Sequence, residues 1–324
     1  MDVWRFMWGL AIRSPSSERC VFMQEILDQL RRLKAQRNAV ILAHNYQRAE
    51  VQDAADFVGD SLELSRKAAQ AKADVILFCG VHFMAETAAI LSPEKIVLIP
   101  DENAGCPMAN MVTVRELRRR KQEHPDAVIV CYVNSSAAVK AESDVCCTSA
   151  NAVNVVRSIP ADREIIFIPD CSLGSYASRT LGRRMILWPG FCPTHHRILA
   201  EEIRRLKAAH PAAVVVVHPE CTDDVVDLAD HVASTTGILN YCRESDAREF
   251  IIGTEIGLLH RLQKESPGKT FHMLTALADC PNMKLNTLEK MVWALEDMAP
   301  RVTVDPAIAA KARLAIDRML AVPR

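Results

Sequence analysis

The sequence predicts an α/β protein made of three three-layer α/β/α units, each with a short parallel sheet, related by a pseudo-threefold axis around one central site. Three observations predict it. Nine short apolar runs fall in three groups of three, with helical stretches between them. The order of strand, polar tip and helix recurs in each group. A cysteine closes each group at a matching position: Cys106, Cys192 and Cys280. A repeat sets the architecture before any other feature does, and this one brings one thiol from each unit towards a common point.

Unit one spans 24–115. Its strands are 39–43, 75–78 and 96–99, and its tip is His44-Asn45-Tyr46. Continuous apolar runs of four or five residues, rather than alternating ones, mark parallel strands covered on both faces. Helices are expected over 53–58, 62–71 and 85–91. Unit two spans 116–205, with strands 127–131, 165–168 and 185–188 and the tip Tyr132-Val133-Asn134. Unit three spans 206–324, with strands 214–217, 250–252 and 271–274 and the tip His218-Pro219-Glu220. Its C-terminal helices, from Thr287 onward, either cap unit one or stand apart. Residues 115–123 and 195–209 are charged on one face and read as solvated helices linking consecutive units. Right-handed crossovers place all three tips at the carboxyl ends of strands, where open α/β sheets bind ligands.

Composition narrows the function. Lysine and arginine number 39 against 40 acidic residues in 324, so no basic footprint for nucleic acid is present. No apolar run approaches the roughly 20 residues of a membrane helix. Residues 1–23 read as an N-terminal extension. Arg5 interrupts their apolar start and no small-residue cleavage site follows, so no signal peptide is expected and a cytoplasmic location is. Eleven cysteines without a signal peptide point to metal or redox chemistry rather than disulfides. Cys79 and Cys131 lie in or beside apolar strands and read as small core residues. Cys146, Cys147, Cys171, Cys221 and Cys242 have no equivalents in the other units and are not expected to be ligands.

Cys106, Cys192 and Cys280 each follow a third strand, on loops free to wrap a cofactor. Three unrelated loop thiols are the bland alternative, and the shared register argues against it. Structural zinc favours paired ligands such as C-x2-C and a closed shell of four. No C-x-x-C occurs here. Three separated thiolates suit a 4Fe-4S cluster with one iron open to substrate as a Lewis acid. His195, in Cys192-Pro193-Thr194-His195, either supports the cluster or merely starts a helix.

A hydroxyl residue stands seventeen positions after each first tip residue: Ser61, Ser149 and Thr235, the last preceded by Ser234. Each reads as a helix N-cap. One alone would be a plain cap. Three aimed at one centre would make a site for phosphate or carboxylate, and imply a substrate with several negative charges. The tips His44, Tyr46, Tyr132, Asn134, His218 and Glu220 would be ordinary turn residues singly. Together they offer an acid/base set, with Glu220 as the best proton-transfer base.

Taken jointly, His44-Asn45-Tyr46, Gly59-Asp60-Ser61, Phe83-Met84-Ala85-Glu86-Thr87-Ala88, Tyr132-Val133-Asn134, Thr148-Ser149-Ala150-Asn151, Cys192 with His195, His218-Pro219-Glu220, Ser234-Thr235 and Gly253-Thr254-Glu255 resemble the quinolinate synthase (quinolinate synthetase A) family over about residues 24–300. The resemblance implies three pseudo-symmetric α/β domains around one 4Fe-4S cluster per chain, ligated by Cys106, Cys192 and Cys280. It implies condensation of iminoaspartate with dihydroxyacetone phosphate, loss of phosphate and two waters, and closure of the quinolinate ring for NAD synthesis. An L-aspartate oxidase supplying iminoaspartate is an implied partner. Substrate binding would fall to His44, Ser61, Tyr132, Asn134, Ser149, His218, Glu220, Ser234 and Thr235. Catalysis would fall to Glu220, His218, Tyr132 and Asn134, with Tyr46 near the entrance. One departure stands out: some members carry C-x-x-C-x-x-C at the last ligand, whereas this chain has Cys280-Pro281-Asn282-Met283-Lys284-Leu285-Asn286, so a thiol–disulfide switch there is not expected. Two other readings stay open, an iron–sulfur dehydratase of a small hydroxy acid and a non-enzymatic iron–sulfur sensor.

Overall fold

Three four-stranded sheets, every pairing parallel, carry the chain through one strand order repeated three times. The computed structural model describes residues 15–323, with side chains from residue 22 onward. The extension expected at 1–23 lies outside the described residues up to residue 14, and helix α1 (Pro15–Gln36) begins in its remainder. The first sheet holds β1 (Ala39–His44), β2 (Phe57–Gly59), β3 (Val75–Cys79) and β4 (Ile96–Leu98) in the order β2-β1-β3-β4. The second repeats it with β5 (Val128–Tyr132), β6 (Val145–Cys147), β7 (Ile165–Ile168) and β8 (Ile186–Leu187). The third repeats it with β9 (Val214–Val217), β10 (His231–Val232), β11 (Glu249–Gly253) and β12 (Thr270–Met273). The α/β architecture of three layered units is therefore as the repeats predict.

Three strands are additions to the nine expected: β2, β6 and β10. Residues 53–58, expected to be helical, in fact end α2 (Ala49–Ala54) and enter β2. Strands of two or three residues are too short to show a periodicity. An aspartate holds each one in place. Asp56, Asp144 and Asp230 each accept the backbone N–H of Ile41, Ile129 and Val215 at 2.8 Å, and each returns its own N–H to the carbonyl of the same residue. The edge strand is thus pinned to the central strand at its start in all three units.

Helices cover both faces. Unit one adds α3 (Ser61–Gln70) and α4 (His82–Leu91); α5 (Val114–Glu123) leads into unit two, which adds α6 (Ala137–Ala141), α7 (Ala152–Ser158) and α8 (Cys171–Leu181). Helix α9 (Ala200–Ala209) leads into unit three, which adds α10 (Asp223–Val226), α11 (Thr235–Glu244) and α12 (Leu258–Glu265). The inner strands bury their apolar runs, with Phe78, Phe167 and Phe250 among the largest buried side chains, while β8 and β12 at the sheet edges are half-buried. Each such ring contributes about 1.5–3 kcal/mol of hydrophobic stabilisation.

The C-terminal segment does not stand apart. On α13 (Leu288–Asp297), Met291 and Leu295 join Ile26, Leu30 and Leu33 of α1 over Ile41 and Leu77 of the first sheet. On α14 (Pro306–Ala321), Ala312, Ala315, Ile316 and Met319 are buried. This helix bridges two units, because Arg313 donates to the carbonyls of Ile90 and Leu91 and Asn151 donates to that of Met319. The C-terminal segment thus caps unit one and closes the seam between units one and two.

Candidate active site

The three cysteine loops and the three tips wall one cavity of about 170 Å³. Each loop repeats a local motif. Cys106, Cys192 and Cys280 each precede a proline, and each is followed by a single 3-10 turn: Met108–Met111, His195–Arg197 and Met283–Leu285. The Cys-Pro dipeptide was readable in the sequence as a further mark of the repeat. Proline fixes φ and removes a donor, so each chain turns away just after its thiol.

Each loop is also tied down. The Cys106 loop is held by Asp101, whose carboxylate accepts Asn103 N–H, and by Asn282 of the Cys280 loop, which donates to Gly105 O at 2.8 Å. The Cys192 loop runs against unit two at Gly190, where a β-carbon would lie 2.4 Å from the Pro169 carbonyl oxygen, so only glycine fits. The Cys280 loop is held by Glu255, which is fully buried. Its Oε1 accepts Cys280 N–H at 3.0 Å, its Oε2 accepts Gly257 N–H at 2.7 Å, and Lys284 Nζ lies 2.8 Å from Oε1. Lys284 also donates to Tyr46 O, joining unit one to this loop. Glu255 and Lys284 were not singled out from sequence, although Glu255 sits in one of the quoted motifs.

The three thiols form a donor set that invites a cation. Burial pushes Cys106 up to about 12 and raises Cys192 and Cys280 as well. The Cys106 thiol is raised further by Cys280, and Cys192 by Cys106, so ionised sulfurs would repel each other across the cavity. Three thiolates lining one cavity would need a positively charged group between them. A second set of donors overlaps this one: ligand atoms of Cys192, His195 and Glu220 lie within 4.8 Å of one another.

The tips place His44 and His218 in equivalent conformations. His44 Nδ1 accepts Tyr46 N–H and His218 Nδ1 accepts Glu220 N–H, each at 3.2 Å. A nitrogen that accepts carries no proton, so each ring is neutral and holds its proton on Nε2. Burial lowers both imidazoles to about 3, which keeps them neutral. His218 Nε2 lies 3.2 Å from Ser149 Oγ.

Glu220 is the hub. Tyr132 donates its hydroxyl to Glu220 Oε1 at 2.5 Å, and Asn134 Nδ2 lies 3.5 Å from the same oxygen. His195 Nδ1 lies 2.8 Å from Oε2 and 3.2 Å from Cys192 Sγ. Burial alone would raise this carboxyl. The His195 imidazole and the Tyr132 hydroxyl outweigh it and hold Glu220 below the ordinary carboxylate range. Tyr132 is raised, by burial first and then by Glu220, so it stays a donor. On the far side of His195, Nε2 lies 3.0 Å from Thr254 Oγ1, which is 2.6 Å from the Tyr46 hydroxyl. Tyr46, Thr254, His195, Glu220 and Tyr132 thus form a continuous hydrogen-bonded chain along the wall. His195 lies in this hydrogen-bonded chain and also begins a 3-10 turn. Thr254 had no role from sequence. Asn134 Oδ1 is buried without a protein partner and faces this cavity, an acceptor left for a ligand.

The hydroxyl residues depart from their expected local role. Helix α3 is capped by Asp60, which accepts Glu63 N–H in a capping box, and Ser61 is its first helical residue. Helix α7 begins at Ala152 after Asn151, so Ser149 lies in the preceding turn. Only Ser234 caps, accepting Gly237 N–H, and Thr235 opens α11. The capping function had been placed one residue late in unit one and two early in unit two. Even so, Ser61, Ser149 and Thr235 line the cavity. Ser234 lies behind it and donates to Asp60 at 3.2 Å. Asn45 donates to Thr235 Oγ1 at 2.7 Å and so fixes that hydroxyl. The carboxylate of Asp60 also faces the cavity, so not every helix start there is free for an anion. Arg197, exposed at the rim, adds a cation that the sequence reading did not name.

Comparison with known proteins agrees with this geometry. The family model described as "NadA: Quinolinate synthetase A protein" matches residues 28–321. A quinolinate synthase of Methanoregula boonei is 58% identical over 294 residues, covering 91% of this chain and 97% of that protein. One of Methanosarcina barkeri is 54% identical over 298 residues, covering 92% and 98%. One of a Geobacter species is 57% identical over 302 residues, covering 93% and 99%.

Proposed function

The chain belongs to the quinolinate synthetase A family and is a quinolinate synthase of NAD biosynthesis, and from that premise we propose that it condenses iminoaspartate with dihydroxyacetone phosphate on one 4Fe-4S cluster held by Cys106, Cys192 and Cys280. The observation that carries the cluster is the convergence of three Cys-Pro loops, one per unit, on a single cavity. Three thiol ligands leave one iron of such a cluster open, and an open iron supplies Lewis-acid polarisation of a substrate oxygen or nitrogen. Oxygen sensitivity follows from that exposure.

The side chains supply the rest. Neutral His44 and His218 donate from Nε2 to substrate carboxylates or phosphate, and Ser61, Ser149 and Thr235 donate hydroxyls beside them. Ser234 acts from behind, through Asp60. Arg197 draws anionic substrates to the rim. Asn134 offers Oδ1 as acceptor and Nδ2 as donor, which suits an imine or enamine N–H. Glu220, held ionised with the proton of His195 Nδ1 at 2.8 Å, takes up or releases protons as one unit with that imidazole. Tyr132 donates to the same carboxylate. Tyr46, through Thr254, gives this pair a path along the wall for protons displaced in loss of water. Val81, Phe83, Met84, Met108 and Met283 close the walls with apolar surface and exclude water. Iminoaspartate requires a supplier, which we assign to an L-aspartate oxidase. Among the described residues no helix is long and apolar enough to cross a membrane, and we place the enzyme in the cytoplasm.

A single preparation tests the reading: anaerobic purification, iron and sulfide analysis, and an assay for quinolinate and inorganic phosphate from the two substrates. A cluster with both products supports it. A cluster without phosphate release favours a hydroxy-acid dehydratase or, with no turnover at all, an iron–sulfur sensor. Zinc in place of iron favours the overlapping set of Cys192, His195 and Glu220.

A further inference from the structure

A second group of convergent ligands lies in unit three, beside the amino end of β11, and none of its residues lines the cavity. His210 caps the C-terminus of α9, Glu249 opens β11, and His272 is the third residue of β12. Their elements differ, yet their polar atoms meet. His210 Nδ1 and His272 Nε2 each lie 2.8 Å from the same oxygen, Glu249 Oε1. The register pairs Ile251 with His272 and so puts Glu249 and His272 on one face of the sheet as diagonal neighbours. The two imidazoles stack with centroids 3.9 Å apart at 28°.

We propose that His210, Glu249 and His272 form a second metal site, for a borderline divalent first-row cation with zinc as the reference ion. The ligand atoms all lie within 4.8 Å of one another. Zinc bonds nitrogen and carboxylate oxygen at about 2.0–2.2 Å, so tetrahedral ligands stand roughly 3.3 Å apart and the observed triangle closes on an ion by small side-chain shifts. Imidazole and carboxylate together select zinc, nickel, cobalt or copper over calcium and magnesium. The three side chains are 33%, 31% and 23% exposed, which leaves the remaining coordination position to water. A bound ion would tie the end of the linking helix α9 to two strands of the third sheet. Its role is therefore structural. The inference rests on these residues alone and is independent of the chemistry assigned to the cavity.

The test uses the cluster-loaded enzyme, with the active-site thiols already occupied. Zinc chloride is titrated by calorimetry, and cobalt(II) is added in parallel as an optical probe. One zinc per chain is expected beyond the iron. The affinity should fall by more than ~10-fold in His272→Ala and in Glu249→Gln, since loss of a ligand exceeds the cost of losing an outer-shell partner. Turnover should be unchanged in both. Cobalt should give d–d bands without a thiolate charge-transfer band. No zinc uptake by the wild type, or equal uptake by the variants, would overturn the site and leave a hydrogen-bonded His–Glu–His cluster. A thiolate charge-transfer band that grows with added cobalt, in the difference spectrum against the cluster-loaded enzyme, would overturn it too, by placing the ion on cysteines, and this arm needs no variant to fold.

Discussion

Replacing Glu255 by glutamine probes how the third cysteine loop is held. The carboxylate is fully buried and accepts Cys280 N–H, Gly257 N–H and the Lys284 ammonium. Glutamine keeps the volume but has one accepting oxygen, and its NH2 group would face a donor. One buried N–H is then left without an acceptor, at about 1–3 kcal/mol. Lys284, only 14% exposed, loses its buried partner. Removing one member of a buried pair costs about 3–5 kcal/mol. Burial raises Glu255 above the ordinary carboxylate range despite Lys284, which reduces the charge lost in the exchange. The lower end, about 3 kcal/mol, is therefore the figure to expect. At about 2.1 cal/mol/K of unfolding entropy per residue, a chain of 324 residues loses about 1.5 °C per kcal/mol, so the melting temperature should fall by about 4–5 °C. The assay is anaerobic thermal unfolding alongside the rate at which a chelator removes iron. Glu255→Gln should melt lower and lose iron faster, while Glu244→Gln, 71% exposed, should change neither. Wild-type melting and iron retention in Glu255→Gln would refute the account of this loop.

Further outcomes follow from the same geometry. Glu220→Gln should retain iron and sulfide yet lose about 100-fold or more in kcat, because the amide cannot share the His195 proton; unchanged turnover would remove Glu220 from the chemistry. Asp144→Ala should cost about 1–2 kcal/mol, measured by anaerobic denaturant unfolding, by stranding the Ile129 N–H, and Asp144→Asn should recover most of it. Arg197→Ala should raise KM several-fold with kcat unchanged, and the effect should shrink in high salt, as expected of a rim charge acting on approach.

Much of this was legible in the chain. The long strands announced themselves because both faces are covered, so four or five apolar residues run together, as at 75–78 and 165–168. The cysteines were legible because three units repeat one loop. The edge strands were not, since two or three residues carry no pattern; what fixes them is an aspartate fifteen residues after its partner, a signal visible only when Ile41, Ile129 and Val215 are compared. The caps slipped for a related reason. A hydroxyl before a helix resembles a cap, but in Asp60-Ser61 the carboxylate with Glu63 three residues on is the stronger capping pair, and Ser61 is left to face the cavity. The roles of His195 and Glu255 were not legible, because one decisive partner of each lies 25 residues away in sequence: Glu220 for one, Cys280 for the other.

The central claim is that three units exist to deliver three thiolates to one cluster. Iron and sulfide content of anaerobically purified Cys106→Ala, Cys192→Ala, Cys280→Ala and Cys79→Ala tests it most directly. Cys79 is fully buried in the core of the first sheet and does not line the cavity. The account predicts about four irons and four sulfides per chain in the wild type and in Cys79→Ala, and loss of both in the other three. A cluster of wild-type content surviving in any of those three would contradict it.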